Sequence, residues 1–165
     1  YSTCFRREAG SYRKEERGMI RGHQFNKIEM FNFTTEDKSW EAFDEMVGYV
    51  EKLTEGLGLH YQTSLLSAGD ASAAMAKTMD IEVWIPSMNI YKEVSSASNA
   101  LDYQARRGNV RYKTEEGNKF VHTLNASGLA TSRLIPAILE QFQQEDGSVL
   151  VPEVLQKFLG KKVLK

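Results

Sequence analysis

The chain has 165 residues, 41% hydrophobic and 26% charged, close to globular averages, so one ordinary domain with its own core is expected. No apolar run approaches the ~20 residues that span a bilayer. Cys4 is the only cysteine and His23, His60 and His122 show no metal-ligand spacing, which excludes an internal disulfide and a multi-cysteine zinc site and makes a reducing cytoplasm the expected compartment. The formal charge of −1 gives no chain-wide grip on nucleic acid, so any RNA contact has to be local.

In chain order, Ser2 to Glu8 reads as extended. A charged loop follows Gly10-Ser11 and ends near Gly18, and Met19 to Phe33 reads as the return strand of a long hairpin. With neither an initiating methionine nor a signal pattern, and with Tyr1 to Ala9 already strand-like, the chain is expected to begin inside a longer domain. Asp37 or Ser39 is expected to cap a helix from about Trp40 to Leu57, where Trp40, Phe43, Met46, Val47 and Val50 recur at helical spacing and Gly56 and Gly58 end it. His60 to Ser67 is a strand, Ala71 to Lys77 a short alanine-rich helical turn, and Met79 to Ile85 a strand closed by Pro86.

Ile90 to Ser96 is a further strand and Asp102 to Arg107 a short helix. Val110 to Lys113 and Phe120 to Leu124 pair across Glu116-Gly117-Asn118. A helix over Leu129 to Phe142 carries an apolar stripe interrupted by Pro136, and a short helix lies between Val151 and Leu159. Antiparallel strands with helices laid against them define an α+β fold.

Phe5-Arg6-Arg7-Glu8 stands at the end of a strand and Arg21-Gly22-His23-Gln24-Phe25 on its return. Alone, this is also the pattern of a surface ion pair on a hairpin. Its company changes the reading: Asn125-Ala126-Ser127-Gly128-Leu129-Ala130 leads to Arg133, placed about one and a half turns into the following helix. The stretch from Phe5 to Gly10 resembles motif 2 of the class II aminoacyl-tRNA synthetases, and Gly128-Leu129-Ala130 with Arg133 resembles motif 3. The seryl branch is picked out by Arg17 to Phe25 with Lys27-Ile28-Glu29, by Asp80 to Pro86, by Glu93-Val94-Ser95-Ser96 through Arg107, and by His122 to Asn125. The resemblance runs in the family's order from Thr3 to about Gly160.

It implies a class II synthetase-like catalytic domain over 1–165, an antiparallel sheet flanked by helices, truncated at its N-terminus, with motif 2 at about 3–33 and motif 3 at about 120–142. Motif 1, a tRNA-reading arm and a serine-binding loop are absent from this sequence. The implied reaction is ATP-dependent activation of serine and transfer to tRNA(Ser), with a homodimer in the complete enzyme; the alternative is a non-charging, synthetase-like binding or regulatory module. ATP and an amino-acid carboxylate repel one another, so adenylate formation needs fixed cations around the phosphates, and arginine's planar fork suits that task.

By resemblance, Arg6 meets the α-phosphate and the serine carboxylate, Arg21 and Arg133 hold the terminal phosphates, Glu8 accepts from the adenine amino group and Phe25 stacks on its ring. Glu93 and Ser96 hold magnesium, a hard cation suited to oxygen ligands. Glu29 takes the serine ammonium, with Asn125 and Ser127 near its hydroxyl. No nucleophile or general base is required. Cys4 is expected to be a buried small group, His23 and His122 satisfied strand residues, Asp70 a helix cap, and Arg106 and Arg107 fold-stabilising ion pairs. The loop around Arg13 to Arg17 reads equally as solvated loop and as a contact for the tRNA acceptor end. Ala97 and Ala126 depart from commoner family residues without removing a polar ligand.

Overall fold

The computed structural model describes residues 1–7 and 18–165; Glu8 and the Arg13 to Arg17 loop lie outside them. The elements in chain order are β1 (Ser2–Phe5), β2 (Gln24–Thr34), α1 (Ser39–Gly56), β3 (Tyr61–Leu65), β4 (Lys77–Ile85), β5 (Ile90–Asn99), α2 (Tyr103–Gly108), β6 (Arg111–Thr114), β7 (Gly117–Phe120), β8 (His122–Ala130), α3 (Thr131–Phe142), β9 (Val149–Leu150), α4 (Glu153–Leu159) and β10 (Val163–Leu164). Six strands form one sheet in the order β1-β2-β8-β5-β4-β3, each neighbour antiparallel. This is the expected α+β architecture.

Alternation decides which face is covered. In β4, Ile81, Val83 and Ile85 are fully buried while Asp80, Glu82 and Trp84 point the other way. Phe43, Met46 and Val50 of α1 and Ala137 of α3 meet that apolar face together with Val94, Ala97, Leu124 and Ala126. The helices therefore cover one side of the sheet, and its other side carries the polar residues of β2, β8, β5 and β4. Pro136 sits within α3 and forfeits the bond its nitrogen would make one turn back.

Several expectations are corrected. Residues 18–21 form a 3-10 turn, so β2 begins only at Gln24. No side chain caps α1: Ser39 is its first residue, fully buried, and its hydroxyl is engaged by His122 Nδ1 at 2.9 Å and Asn99 Nδ2 at 3.2 Å. Trp40 lies outside the core, half-exposed. The alanine-rich stretch 71–76 makes turns without a helix, because Ala76 N donates to Asn99 O at 2.8 Å and the chain must feed directly into β4. Asp70 accordingly caps no helix and accepts from Ser67 Oγ at 2.8 Å.

The small hairpin pairs β6 with β7 alone, whereas His122 to Leu124 belongs to the main sheet. Arg106 does pair with Asp102, at 3.5 Å. Arg107 instead lies over the Tyr103 ring and donates to the Tyr103 carbonyl. Cys4, on an edge strand, is only partly buried. His23 is exposed and precedes β2. Among the described residues no helix is long and apolar enough to cross a membrane.

Candidate functional site

A cleft of about 440 Å³, its open mouth included, is lined by Arg6, Ile20, Arg21, Gly22, Phe25, Lys27, Glu93, Val94, Ser127, Ala130, Ser132 and Arg133. It therefore brings together six of the residues singled out in the sequence: Arg6, Arg21, Phe25, Glu93, Ser127 and Arg133. They arrive from five places, the end of β1, the turn before β2, the start of β2, the middle of β5 and the β8–α3 junction.

Two bulges make that convergence possible. Glu93 and Ser96 are three residues apart, which in a regular strand puts their side chains on opposite faces. The β4–β5 register passes from Ile81↔Ser95 to Glu82↔Glu93, leaving Val94 unopposed. Val94 and Ser95 both turn into the helix side, 1% and 0% exposed, and Glu93 and Ser96 both reach the polar face. The β2–β8 register shifts likewise from Glu29↔Ser127 to Lys27↔Ala130, so that Gly128 and Leu129 together oppose Ile28. Leu129 enters the core, and Ala130 lines the cleft just before the helix that carries Arg133.

Arg133 sits in the first turn of α3, earlier than the expected one and a half turns, because β8 runs on through Ala130. Its Nη1 donates to the Glu93 carbonyl at 2.6 Å and its Nε to the Ile20 carbonyl at 3.2 Å, with the Glu93 carboxylate 3.7 Å from Nη1. Arg6 is anchored by its backbone nitrogen, which donates to the His23 carbonyl at 2.7 Å, and its guanidinium lies 5.1 Å from the centre of the Phe25 ring. Phe25 thus presents a face on which a cation already rests.

Glu29, Ser96 and Asn125 do not line the cleft. Glu29 borders it: Ser127 Oγ donates to Glu29 Oε2 at 3.1 Å, and Lys27 Nζ lies 2.9 Å from the same oxygen. Asn125 stands two residues back on the same face of β8, opposite Phe31 on β2 and Ser98 on β5. Ser96 lies opposite Asp80. Lys27 and Asp80 were assigned no role from the sequence. Both had a legible signal: Lys27 is two residues from Glu29 on a strand and so shares its face, and Asp80 is an acid at an alternating position in a strand with a fully buried partner face.

Asp80 is 8% exposed and its Oδ1 is buried without a hydrogen-bond partner. Burial pushes its carboxyl up to about 6, assisted by Glu93 and Glu82 and opposed by the Ser96 hydroxyl, which donates to it, and by Arg133. Among the described residues no cluster of three or more His, Cys, Asp and Glu side chains forms a cage for a metal.

Residues 1–142 match the family described as tRNA synthetase class II core domain (G, H, P, S and T). The chain is 67% identical over 166 residues to serine-tRNA ligase 2 of Clostridium acetobutylicum, a match covering 99% of this chain and 39% of that protein. It is 49% identical to the serine-tRNA ligase of Fervidobacterium nodosum, covering 100% of this chain and 39% of that protein. The seryl-tRNA synthetase of Pyrococcus horikoshii complexed with ATP superposes with a TM-score of 0.93 at 42% identity, over 98% of this chain and 36% of that one. The cytoplasmic serine-tRNA ligase of Naegleria fowleri in complex with AMP gives 0.91 at 44% identity, over 99% and 39%. The chain therefore spans about 39% of the length of the curated relatives it matches.

Proposed function

The chain belongs to the class II tRNA synthetase core family, and on that footing we propose that it supplies the ATP- and serine-handling part of a serine-tRNA ligase, as a partial catalytic domain over 1–165 with motif 2 at about 3–33 and motif 3 at about 120–142. The observation that carries this reading is the convergence of Arg6, Arg21, Arg133, Phe25, Glu93 and Ser127 on one cleft. Three guanidinium groups around a small polar cleft suit a polyphosphate, because each stays charged and offers a planar pair of donors. Similarity to a synthetase complexed with ATP points the same way.

In the proposed reaction a serine carboxylate oxygen attacks the α-phosphorus of ATP, the bond to the bridging oxygen breaks, and pyrophosphate leaves, giving seryl-adenylate. Arg6 neutralises charge where the carboxylate and the α-phosphate approach, and Arg21 and Arg133 hold the departing phosphates. Rate comes from orientation and charge stabilisation, with no protein nucleophile. Phe25 offers its ring to adenine, with Glu8 accepting from the amino group. Glu29 receives the serine ammonium, while Ser127 and Asn125 bound the space for its hydroxyl.

Magnesium fits the donor set. Glu93 offers a carboxylate and Ser96 a hydroxyl, both hard oxygen ligands, and a cation that takes one or two protein oxygens and completes its shell with phosphate oxygens and water needs no larger cage. When bound it would offset phosphate charge. The complete enzyme would pass serine to the 3′ end of tRNA(Ser) as a cytoplasmic homodimer.

The test is calorimetry of nucleotide binding to this chain, together with serine-dependent pyrophosphate exchange in a full-length ligase carrying these residues. ATP should bind more tightly than GTP, and exchange should respond to serine and not to alanine. Equal binding of the two nucleotides, unchanged by Arg133→Ala, would overturn the reading.

A further inference from the structure

Asp80 has the least comfortable position of any carboxylate described. It is 8% exposed, its Oδ1 is buried and unpartnered, and Glu82 and Glu93 lie close enough to oppose its charge. A threonine or asparagine at this point of β4 would satisfy the neighbouring hydroxyl with no charge to bury. What a carboxylate offers there is direction. An ionised carboxylate only accepts, so a hydroxyl facing it has to donate.

The hydroxyl is that of Ser96, directly across the β4–β5 register. Ser96 has one proton and two lone pairs, and a cation can use it only through a lone pair. If the proton is spent on Asp80, the oxygen's lone pairs are left for the polar face, which the bulge at Val94 makes Ser96 share with Glu93. An amide at position 80 would permit the reverse bond, its NH₂ donating into the Ser96 oxygen and occupying a lone pair.

We propose that Asp80 is a positioning residue for the cation end of the cleft: by accepting the Ser96 O–H it holds the Ser96 oxygen with its lone pairs turned toward a divalent cation shared with Glu93. This rests on the assignment of Glu93 and Ser96 to magnesium above. Asp80 acts through Ser96 and not as a ligand itself, since its unpartnered oxygen is enclosed whereas Ser96 is partly exposed.

The experiment is a double-mutant cycle on cation affinity, using Mn²⁺ with ATP at pH 7.5 and following free Mn²⁺ by electron paramagnetic resonance, with ATP binding in the absence of divalent cation as a control. Asp80→Asn is expected to weaken Mn²⁺ about tenfold, the scale on which the outer partners of metal ligands act. Ser96→Ala should do the same, and the double variant should be no weaker than Ser96→Ala alone. Cation-free ATP binding by Asp80→Asn should equal that of the parent. If Ser96→Ala leaves Mn²⁺ affinity untouched, the cation assignment itself is wrong. If Ser96→Ala weakens Mn²⁺ but Asp80→Asn does not, or if the two losses add, positioning through Ser96 is overturned. Asp80→Leu carries the same cycle should the asparagine variant fold poorly, because replacing a buried charged group with an apolar one is often neutral or stabilising.

Discussion

The guanidinium of Arg133 is held by the main chain of Glu93, Nη1 donating to that carbonyl at 2.6 Å while the Glu93 carboxylate stands 3.7 Å away. Since Nε is also fixed, on the Ile20 carbonyl, the side chain joins α3 to the turn before β2 and to β5. Its charge is therefore positioned in advance, and little rotamer freedom is left to lose when an anion arrives.

Arg133→Ala should weaken ATP binding by roughly 1.5–3 kcal/mol, the scale of lost charge-assisted hydrogen bonds. Arg133→Lys should recover only part of this, because an ammonium cannot span the Glu93 and Ile20 carbonyls with one rigid fork. Calorimetry at fixed ionic strength measures both. A lysine variant equal to the parent would mean that charge alone matters and the fork does not.

Glu29→Ala in a full-length ligase should raise the concentration of serine needed for pyrophosphate exchange far more than that of ATP. Glu29 borders the cleft through its contacts with Ser127 and Lys27 but does not line it with Arg6, Arg21 and Arg133. An effect on ATP larger than that on serine would make Glu29 a structural partner of Lys27.

Asp80 makes stability fall as pH rises. Its folded carboxyl is pushed up from 3.8 to about 6 by burial, with Glu93 and Glu82 adding to the shift and Ser96 and Arg133 opposing it. Between those values the folded chain binds more protons than the unfolded one, so the slope of unfolding free energy against pH is negative. The contribution is complete below 3.8 and lost as pH passes about 6, roughly 2–3 kcal/mol in all. Urea unfolding of the parent and Asp80→Asn across pH 4.5 to 7.5 should show the parent losing stability relative to the variant, and a constant difference would contradict this.

Ser39→Ala should destabilise by about 1–3 kcal/mol, because it leaves His122 Nδ1 and Asn99 Nδ2 without the hydroxyl they share inside the protein. Ser39 lies at the start of α1, on the helix side of the sheet, so ATP affinity of the folded variant should be unchanged. A change in affinity without a change in the urea midpoint would reverse this assignment.

Much of the fold was legible because alternation and helical spacing report burial directly: Ile81, Val83 and Ile85 announce the face of β4, and Phe43, Met46 and Val50 that of α1. What escaped was decided by partners. The alanines at 71–76 favour a helix by intrinsic propensity, but backbone bonds from Leu66 to Thr78 and from Ala76 to Asn99 tie the segment down at both ends. Ser39 looks like a cap until His122, far away in sequence, takes its hydroxyl. Arg6, Arg21, Phe25, Glu93, Ser127 and Arg133 line one cleft, whereas Asp80, singled out only as the start of a family stretch, carried no sign of its burial, because Ser96 and Glu93 reach it from β5 and Arg133 from α3.

The unopposed Val94 also makes the strand a counting device. Removing that one residue would restore unbroken alternation in β5, at the loss of one buried valine side chain from the core. Glu93 and Ser96 would then stand two residues apart and still share the polar face; they would fall on opposite sides only if all four residues from 93 to 96 were paired in regular register. What the strand has to preserve is thus parity, and homologous chains are expected to carry either two residues between Glu93 and Ser96 with a bulge, or one without.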